Sequence, residues 1–476
     1  MLWLCLYLRT LSLDVLARGD IQTLPRVIVS GPEACLQVLV CNTVAFAQGI
    51  HPGMRLSGAF ALASQLQVLM RDAAAEVAAL ERIAAWAGQF TSIVSLSHPD
   101  AVLLEIGASL QLFGGLDRLR QRVDRGVTAL GYDVQTGIAP TPLGAWLLAR
   151  AGSEQPVTDK EALRTQLSRV PLHHLMLEAD TLKVLRGLGL GTFGDCLRLP
   201  REELARRFGA AFVTTFDRAL GTIPDPRPTY VPPSFFESRL PLSAPVTDCT
   251  ALLFGIHRLV MELTGFLQAR QAGVSGFALK LHHEHRAPTA VTIGLVSASR
   301  RATHLMHLIR TRLEQYALPA DVHEVELVAR DIQPLAEHTQ TLFDDADAEQ
   351  HDDWAVLVEQ LRARLGDEAV AGLRLVADHR PEYAWQYGAP GVAGVVPDSG
   401  PRPLWLLAEP LLLSERDLHG GLVLHRGPER IESGWWDGGD IARDYFIARH
   451  PDGMQWWIFC ERHVSQRRWF LHGVFG

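Results

Sequence analysis

Five prolines fall within the ten residues from Pro224 to Pro233. Proline fixes the backbone φ angle and has no N–H to donate, so a segment this rich in proline cannot form a helix interior or a central strand. The segment is therefore predicted to be an extended connector, and the parts of the 476-residue chain on either side of it fold as separate domains. At 47% hydrophobic residues, the composition is typical of folded domains.

Before the connector, strand-like and helix-like patterns alternate, which predicts a mixed α/β layer. The predicted strands are residues 3–9, 102–106 and 134–138, and the predicted helices are residues 72–87, 116–130 and 143–150. Residues 160–222 carry short helical patterns separated by glycines and no good strand candidate.

After the connector, residues 235–328 show a strand-helix-strand-strand-helix-strand pattern, which predicts a second α+β domain. A polar, acidic linker follows. Eight of the eleven tryptophans lie after residue 350, and residues 445–447, 455–460 and 468–475 have the pattern of a β meander with a turn at Pro451-Asp452-Gly453.

The six cysteines contain no CxxC pair, which favours reduced thiols and a cytoplasmic location. No apolar stretch approaches the roughly 18 residues needed to span a bilayer, so no membrane association is expected. A net charge of -8 argues against coating of nucleic acid through bulk electrostatics. The run from His282 to His285 is predicted to be a solvated turn rather than a metal site.

Two segments carry a family resemblance: Leu110-Gln111-Leu112-Phe113-Gly114-Gly115, and the stretch from Gly137 to Trp146 that follows the next helix. They resemble the palm of the Y-family DNA polymerases, and above all the ImuB branch, whose members look like polymerases without catalytic residues. The resemblance covers roughly residues 1–330 and implies an α+β multidomain fold shaped as a right hand, with a C-terminal extension. The implied domains are a palm (1–10 and 71–160), fingers (11–70), a thumb with a degenerate helix-hairpin-helix (161–230), a little finger (235–332), a linker with a clamp-binding peptide (333–353) and a partner-binding region with a small β module (354–476).

Two-metal nucleotidyl transfer needs carboxylates that converge on a pair of cations. By the resemblance, the acidic positions of the first strand fall near Leu6 and Leu8, and the Asp-Glu pair falls at Asp100-Ala101. The triphosphate ligands of the family fall at neutral residues, which are Thr43, Phe46, Pro142 and Trp146. The expectation is a pseudo-polymerase with no catalytic residues, no metal and no cofactor.

Damaged or primed DNA is expected to bind weakly. In the thumb, Met176, Leu177 and Glu178 replace the glycines of the family's hairpin, which would bring backbone N–H groups close to phosphate. In the little finger, Arg300, Arg301, Arg310 and Arg312 are candidate phosphate contacts, although a solvated helix face explains them equally well.

The polar linker contains one apolar pair, Leu342-Phe343, with Gln340 just before it. This peptide resembles the one with which bacterial polymerases dock on the sliding clamp, except that Thr339 holds the place where the five-residue form has glutamine. The C-terminal region resembles the ImuB tail, which implies two further partners, a RecA-like accessory protein (ImuA) and an error-prone C-family polymerase (ImuC).

The leading hypothesis is a clamp-bound, non-catalytic adaptor for translesion synthesis and mutagenesis in the SOS response to DNA damage. The alternative is an active Y-family translesion polymerase whose carboxylates have moved, for example to Asp14, Asp100 and Glu105. A third possibility is a DNA-repair factor that binds DNA without the clamp.

Overall fold

The computed structural model describes residues 1–18, 24–335, 346–392, 394, 400–462 and 467–475. The chain forms two compact units, Met1–Asp353 and Trp354–Gly476. The first unit begins with strand β1 (Trp3–Tyr7) and helix α1 (Leu11–Ala17).

A small fingers-like layer follows, with the core residues Val27, Val29 and Ile50. Its central strand, β2, pairs with β3 in antiparallel and with β4 in parallel orientation. Its elements are β2 (Arg26–Ser30), β3 (Gln37–Cys41), α2 (Thr43–Ala47), α3 (Leu56–Leu62) and β4 (Gln67–Met70).

The chain then completes the palm-like layer that β1 began. Although helices and strands alternate in sequence, every strand pair in this sheet is antiparallel, and the order is β5-β6-β1-β7. Gly114 and Gly115 have φ angles of 73° and 107°, so the turn before α5 requires glycine. The added elements are α4 (Ala73–Ala87), β5 (Val94–Ser97), β6 (Ala101–Glu105), α5 (Leu116–Ala129), β7 (Gln135–Ala139) and α6 (Pro142–Arg150).

Strand β1 is buried on both faces. Leu4 and Leu6 belong to a core with α4 and α5, whereas Trp3 and Cys5 belong to a second core with α6 and the helices that follow. Those thumb-like helices are α7 (Lys160–Leu167), α8 (Ala179–Gly187), α9 (Phe193–Leu197), α10 (Arg201–Phe208) and α11 (Ala210–Leu220).

The predicted strand-helix-strand-strand-helix-strand order is confirmed after the connector. The sheet has the order β10-β9-β11-β8. Its elements are β8 (Phe236–Val246), α12 (Cys249–Ala269), β9 (Ala272–His282), β10 (Thr289–Ser299), α13 (Ala302–Leu313) and β11 (Val322–Pro334). Among the described residues, α12 is the one helix that is long and apolar enough to span a membrane, and most of it is buried within the fold.

From residue 346 the chain forms a helix, a two-stranded hairpin and a five-stranded antiparallel sheet of order β14-β18-β17-β16-β15. The predicted meander is confirmed as β16, β17 and β18. The elements are α14 (Ala346–Leu365), β12 (Gly372–Leu375), β13 (Trp385–Gly388), β14 (Trp405–Leu412), α15 (Glu415–His419), β15 (Val423–Ser433), β16 (Ile441–Arg449), β17 (Gln455–Glu461) and β18 (Trp469–Phe475).

A buried polar group lies in the core of this sheet. The hydroxyl of Tyr445 hydrogen-bonds to Nδ1 of His472 at 2.8 Å, and Arg443 donates both to that hydroxyl and to Glu382. Burial lowers the pKa of His472 to about 4, so the imidazole is neutral at physiological pH. The hydroxyl, the imidazole and the ion pair together link the segment around Glu382 to the sheet.

Gly126 of α5 leaves the space that the ring of Trp86 fills, and a Cβ at this position would overlap that ring. We expect Gly126→Ala to lower the free energy of unfolding by about 1–3 kcal/mol, because overpacking outweighs the gain in helix propensity. Chemical denaturation measures the change. The matched control is Gly187→Ala at the end of α8, where a Cβ meets no heavy atom within 4 Å, and equal stability of the two variants would contradict the prediction.

Candidate functional site

A cleft of about 760 Å³ lies between the end of β1 and the fingers-like layer. Tyr7, Arg9 and Asp14 line it from the palm-like side, and Thr43 and Phe46 line it from the fingers-like side. The structure therefore brings both predicted fingers positions to the cleft. Phe46 is half exposed, and its ring meets His51 edge to face, with 4.8 Å between the ring centres.

The predicted first-strand positions, Leu6 and Leu8, do not line this cleft. Leu6 and Leu8 are fully buried in the core with α4 and α5, so their side chains point away from the cleft. Because successive side chains of a strand point to opposite faces, a shift of one residue exchanges the two faces. Tyr7 and Arg9 are the residues that reach the cleft.

Asp100 is held by a cation from α6. Its Oδ2 accepts a hydrogen bond of 3.0 Å from Nη1 of Arg150. The same guanidinium lies 4.8 Å from the ring centres of both Tyr7 and Trp146. Burial raises the pKa of Asp100, and the positive charge of Arg150 acts against that rise. Arg150 is therefore the counter-charge of this carboxylate.

The remaining predicted palm positions are structural. Trp146 is buried in the core with the thumb-like helices, and Pro142 occupies the first turn of α6. Proline suits the first turn because a backbone N–H at that position has no acceptor within the helix, so the lack of this N–H removes no hydrogen bond.

Glu105 lies at the far end of β6 from Asp100. Its Oε1 accepts hydrogen bonds from the backbone N–H of Leu2 at 2.9 Å and of Gly107 at 3.1 Å. Five residues separate Asp100 from Glu105, which at about 3.3 Å per residue is roughly 16 Å along the strand. Within the described ranges, no group of three or more His, Cys, Asp or Glu residues could hold a metal ion.

Asp14 is a buried carboxyl group at the cleft. Its Oδ2 accepts hydrogen bonds from the hydroxyl of Thr10 at 2.9 Å and from the backbone N–H of Asp133 at 3.3 Å. Burial raises its pKa to about 7, although both hydrogen bonds act against the rise. Asp14 therefore changes charge near neutral pH.

The four candidate DNA-binding arginines do not form one cluster. Arg300 and Arg301 precede α13, whereas Arg310 and Arg312 lie in its last turn. Nine residues of helix separate Arg301 from Arg310, which is roughly 14 Å. Arg301 and Arg310 are exposed, and Arg300 and Arg312 are half-buried.

The open face of the same sheet carries a second set of cations that the sequence reasoning missed. Glu326 accepts a hydrogen bond of 2.8 Å from Nζ of Lys280, its other oxygen lies 2.8 Å from Nε2 of His282, and Arg239 is 3.4 Å away. Burial acts to raise the pKa of Glu326, but the bonds from Lys280 and His282 lower it. The carboxylate of Glu326 already contacts the basic side chains on this face of the sheet.

The run from His282 to His285 is not wholly the predicted solvated turn. His283 is buried, and its two ring nitrogens hydrogen-bond to the carbonyl of Asp321 at 2.9 Å and to the hydroxyl of Thr289 at 2.8 Å. Asp321 is 38 residues away in sequence, so the local pattern could not reveal it as a partner.

In the thumb-like region, Met176, Leu177 and Glu178 form the turn between a 3-10 segment and α8. Met176 adopts a left-handed conformation, with φ of 52°. That conformation normally favours glycine, so the turn keeps a glycine-type backbone with larger side chains on it. The predicted clamp-binding residues Gln340, Leu342 and Phe343 lie outside the described residues.

The C-terminal unit exposes large apolar side chains on its hairpin. Leu373 pairs across the hairpin with Tyr387, and Leu375 pairs with Trp385. All four are exposed, with Leu373 and Tyr387 at 70% and 72%. Leu373, Leu375 and Trp385 line a cavity of about 510 Å³ that reaches Trp457 of the sheet.

Comparison with known proteins agrees with the predicted resemblance. The impB/mucB/samB family model matches residues 10–150. The chain is 27% identical over 458 residues to Protein ImuB of Caulobacter vibrioides (strain NA1000 / CB15N), a match that covers 90% of this chain and 100% of that protein. It is 26% identical over 209 residues to DNA polymerase IV of Yersinia pestis (strain Pestoides F), covering 42% of this chain and 58% of that protein.

Solved structures of polymerases are also similar. A Y-family DNA polymerase chimera matches 70% of this chain and 99% of its own, with 15% identity and a TM-score of 0.41. DinB from Sulfolobus solfataricus matches 71% of this chain and 100% of its own, with 15% identity and a TM-score of 0.39.

We expect the stability of the chain to depend on the protonation of Asp14. The folded chain binds this proton more tightly than the unfolded chain does, so the free energy of unfolding falls as pH rises from the ordinary pKa of 3.8 to about 7. Asp14→Asn keeps an oxygen acceptor and removes the charge. The variant should be more stable than the parent by roughly 1–4 kcal/mol at about pH 8.5, with a much smaller advantage at about pH 5. Denaturant unfolding at both pH values measures this, and an equal difference at both would refute the assignment.

Proposed function

We propose that this chain, an ImuB-like homologue of the Y-family polymerases, is a non-catalytic adaptor that docks on the sliding clamp and recruits an error-prone polymerase to damaged DNA. One observation carries the proposal. Where a polymerase would gather carboxylates around two cations, the end of β1 presents Tyr7 and Arg9, and the nearby Asp100 is bound by Arg150. The positively charged guanidinium of Arg150 beside Asp100 repels a divalent metal ion instead of binding it.

The alternative is an active polymerase with relocated carboxylates. Two-metal catalysis needs ligands that converge on ions about 3.5–4 Å apart. Glu105 is roughly 16 Å along the strand from Asp100 and accepts two backbone hydrogen bonds. Asp14 is buried, and its Oδ2 already accepts hydrogen bonds from Thr10 and from the backbone N–H of Asp133. These properties favour the adaptor.

Binding of damaged or primed DNA would be weak. The two exposed arginines on α13 lie at opposite ends of the helix, and Glu326 partners the cations on the open face of the sheet. Affinity for phosphate rises with the number of cations that can replace counterions, so a divided and partly neutralised set supports weak binding. The turn from Met176 to Glu178 would add little, because larger side chains hinder close approach of its backbone to phosphate.

Docking on the sliding clamp would use Gln340, Leu342 and Phe343. In the sequence this apolar pair stands among polar and acidic residues, a pattern that supports insertion into a partner's apolar cleft. A tether keeps such a peptide at high effective concentration near the clamp once the chain is on DNA.

The C-terminal unit would bind the RecA-like accessory protein and the error-prone C-family polymerase of the SOS response, in the cytoplasm. Four exposed apolar side chains on one hairpin support a protein-binding role, because exposed apolar patches of this kind mark interaction sites. The polymerase partner would perform the synthesis that the chain itself does not.

The purified chain should not extend a primer with Mg²⁺ or Mn²⁺ present, because the described residues at the cleft include no ligand set for a pair of cations. Primer extension on a damaged and an undamaged template measures this, with an active Y-family polymerase as the positive control. Extension that Asp100→Ala abolishes would establish the alternative function.

Leu342→Ala with Phe343→Ala should weaken clamp binding by about tenfold or more, because the two side chains supply the apolar contacts of the peptide. Thr339→Gln, which places glutamine at the start of the five-residue form, should strengthen binding. The matched control, His338→Ala with Thr341→Ala, should leave the affinity unchanged. Titration of labelled clamp measures all three, and unchanged affinity of the Leu342/Phe343 variant would refute the clamp assignment.

A further inference from the structure

Most of helix α12 is buried, and two of its sides make packing contacts. On one side Gly255 faces β8, where a Cβ would lie 2.9 Å from a methyl group of Leu240. On the other side Met261 packs against the palm-like core. These contacts place the buried part of α12 between its own sheet and the palm-like layer.

The palm side of α12 is closely packed. Trp86 of α4 lies between Gly126 of α5 and Gly265 of α12, and a Cβ at either glycine would overlap its ring. One turn further along, a Cβ on Gly88 would lie 3.1 Å from the Cβ of Ala269. The three helices therefore meet without space for water between them.

A buried ion pair fixes where α12 sits. Arg18, just after α1, bonds to Glu262 of α12, and the two side chains are 2% and 1% exposed. Arg18 also donates to the hydroxyl of Tyr132 at 2.8 Å, and Ser238 of β8 donates to Glu262 at 2.5 Å. Buried pairs add little net stability, but one docking position alone brings these charges together. Apolar packing thus stabilises the contact and the ion pair sets its register.

We propose that the little-finger-like domain, residues 235–332, is a fixed part of the palm-like body and stays docked through α12 when DNA binds. Its docking site is the face of the palm-like sheet that α4 and α5 cover, whereas Tyr7 lies on the opposite face of β1. The domain therefore does not move to embrace a duplex at the cleft. This inference does not depend on clamp binding or on the absence of catalysis.

Fixed docking also determines where the linker begins. The backbone N–H of Leu335 donates to the carbonyl of Gln271 at 3.0 Å, two residues after α12 ends. The linker thus starts beside the contact between Gly88 and Ala269, and a partner bound to it positions the whole palm-like body instead of one mobile domain.

A disulfide tests the contact directly. In a Cys35→Ser background, which removes the exposed native thiol, Gly88→Cys with Ala269→Cys should cross-link almost completely under mild oxidation. The Cβ separation needs to widen by only a few tenths of an ångström to suit a disulfide. The matched pair Gly88→Cys with Gly294→Cys, whose second site lies in open space on β10, should not cross-link. Slow or partial cross-linking of the first pair would overturn the proposal.

A distance measurement tests whether the little-finger-like domain stays docked, and it does not depend on the cysteine pair at positions 88 and 269. Spin labels at Leu112→Cys and His285→Cys, both highly exposed positions, report the separation of the palm-like and little-finger-like domains. We expect one narrow distance distribution that does not shift when a primed DNA template is added. A broad distribution, or a shift on adding DNA, would show a mobile domain and overturn the proposal.

Gly265→Ala tests the close packing with the same labels. Its methyl group would overlap Trp86 and should broaden the distance distribution, whereas Gly187→Ala should leave it narrow. A distribution as narrow in Gly265→Ala as in the parent would refute the claim that close packing at Trp86 holds the two domains together.

Discussion

Strand β1 hydrogen-bonds to β6 on one side and to β7 on the other, and each of its faces contributes to a different core. Both cores of the first unit therefore need an apolar strand at this place, and a charged side chain in the middle of β1 would enter one of them. Its C-terminal end, at Tyr7, reaches a cleft. The strand can keep its packing role whatever chemistry is lost or retained at that end.

That separation lets the palm-like layer keep its packing when residues at the cleft end of β1 change. Carboxylates that share a site repel each other unless cations balance them. Near this cleft Arg150 partners Asp100 and lies over Tyr7, and burial lets Asp14 take up a proton near neutral pH. Contacts within the protein therefore hold both carboxyl groups in place.

The sequence predicted element types and their order well where side-chain periodicity is strong, as in the domain of β8 to β11 and in the C-terminal meander. It did not predict which residues of β1 face the cleft, because a run that is apolar at every position has no alternation to mark its faces. The contacts of Asp100 with Arg150 and of His283 with Asp321 join residues far apart in sequence. A local pattern contains no information about such partners. The length and apolar content of α12 were a signal that could have been used, because a helix on a single sheet needs only one apolar face.

A docked α12 changes how the linker to the C-terminal unit can act. A peptide on a linker gains effective concentration from its tether, and the gain depends on where the tether is rooted as well as on its length. Here the root is Leu335, held by Gln271 beside the palm-like helices. If that root moved with a loosely attached domain, the motion would add to the effective length of the tether and dilute the peptide. A root that is fixed to the palm-like body adds no motion of its own, so the effective length of the tether stays short. The contact between α12 and the palm-like helices therefore holds the little-finger-like domain in place and also favours stable positioning of a bound partner.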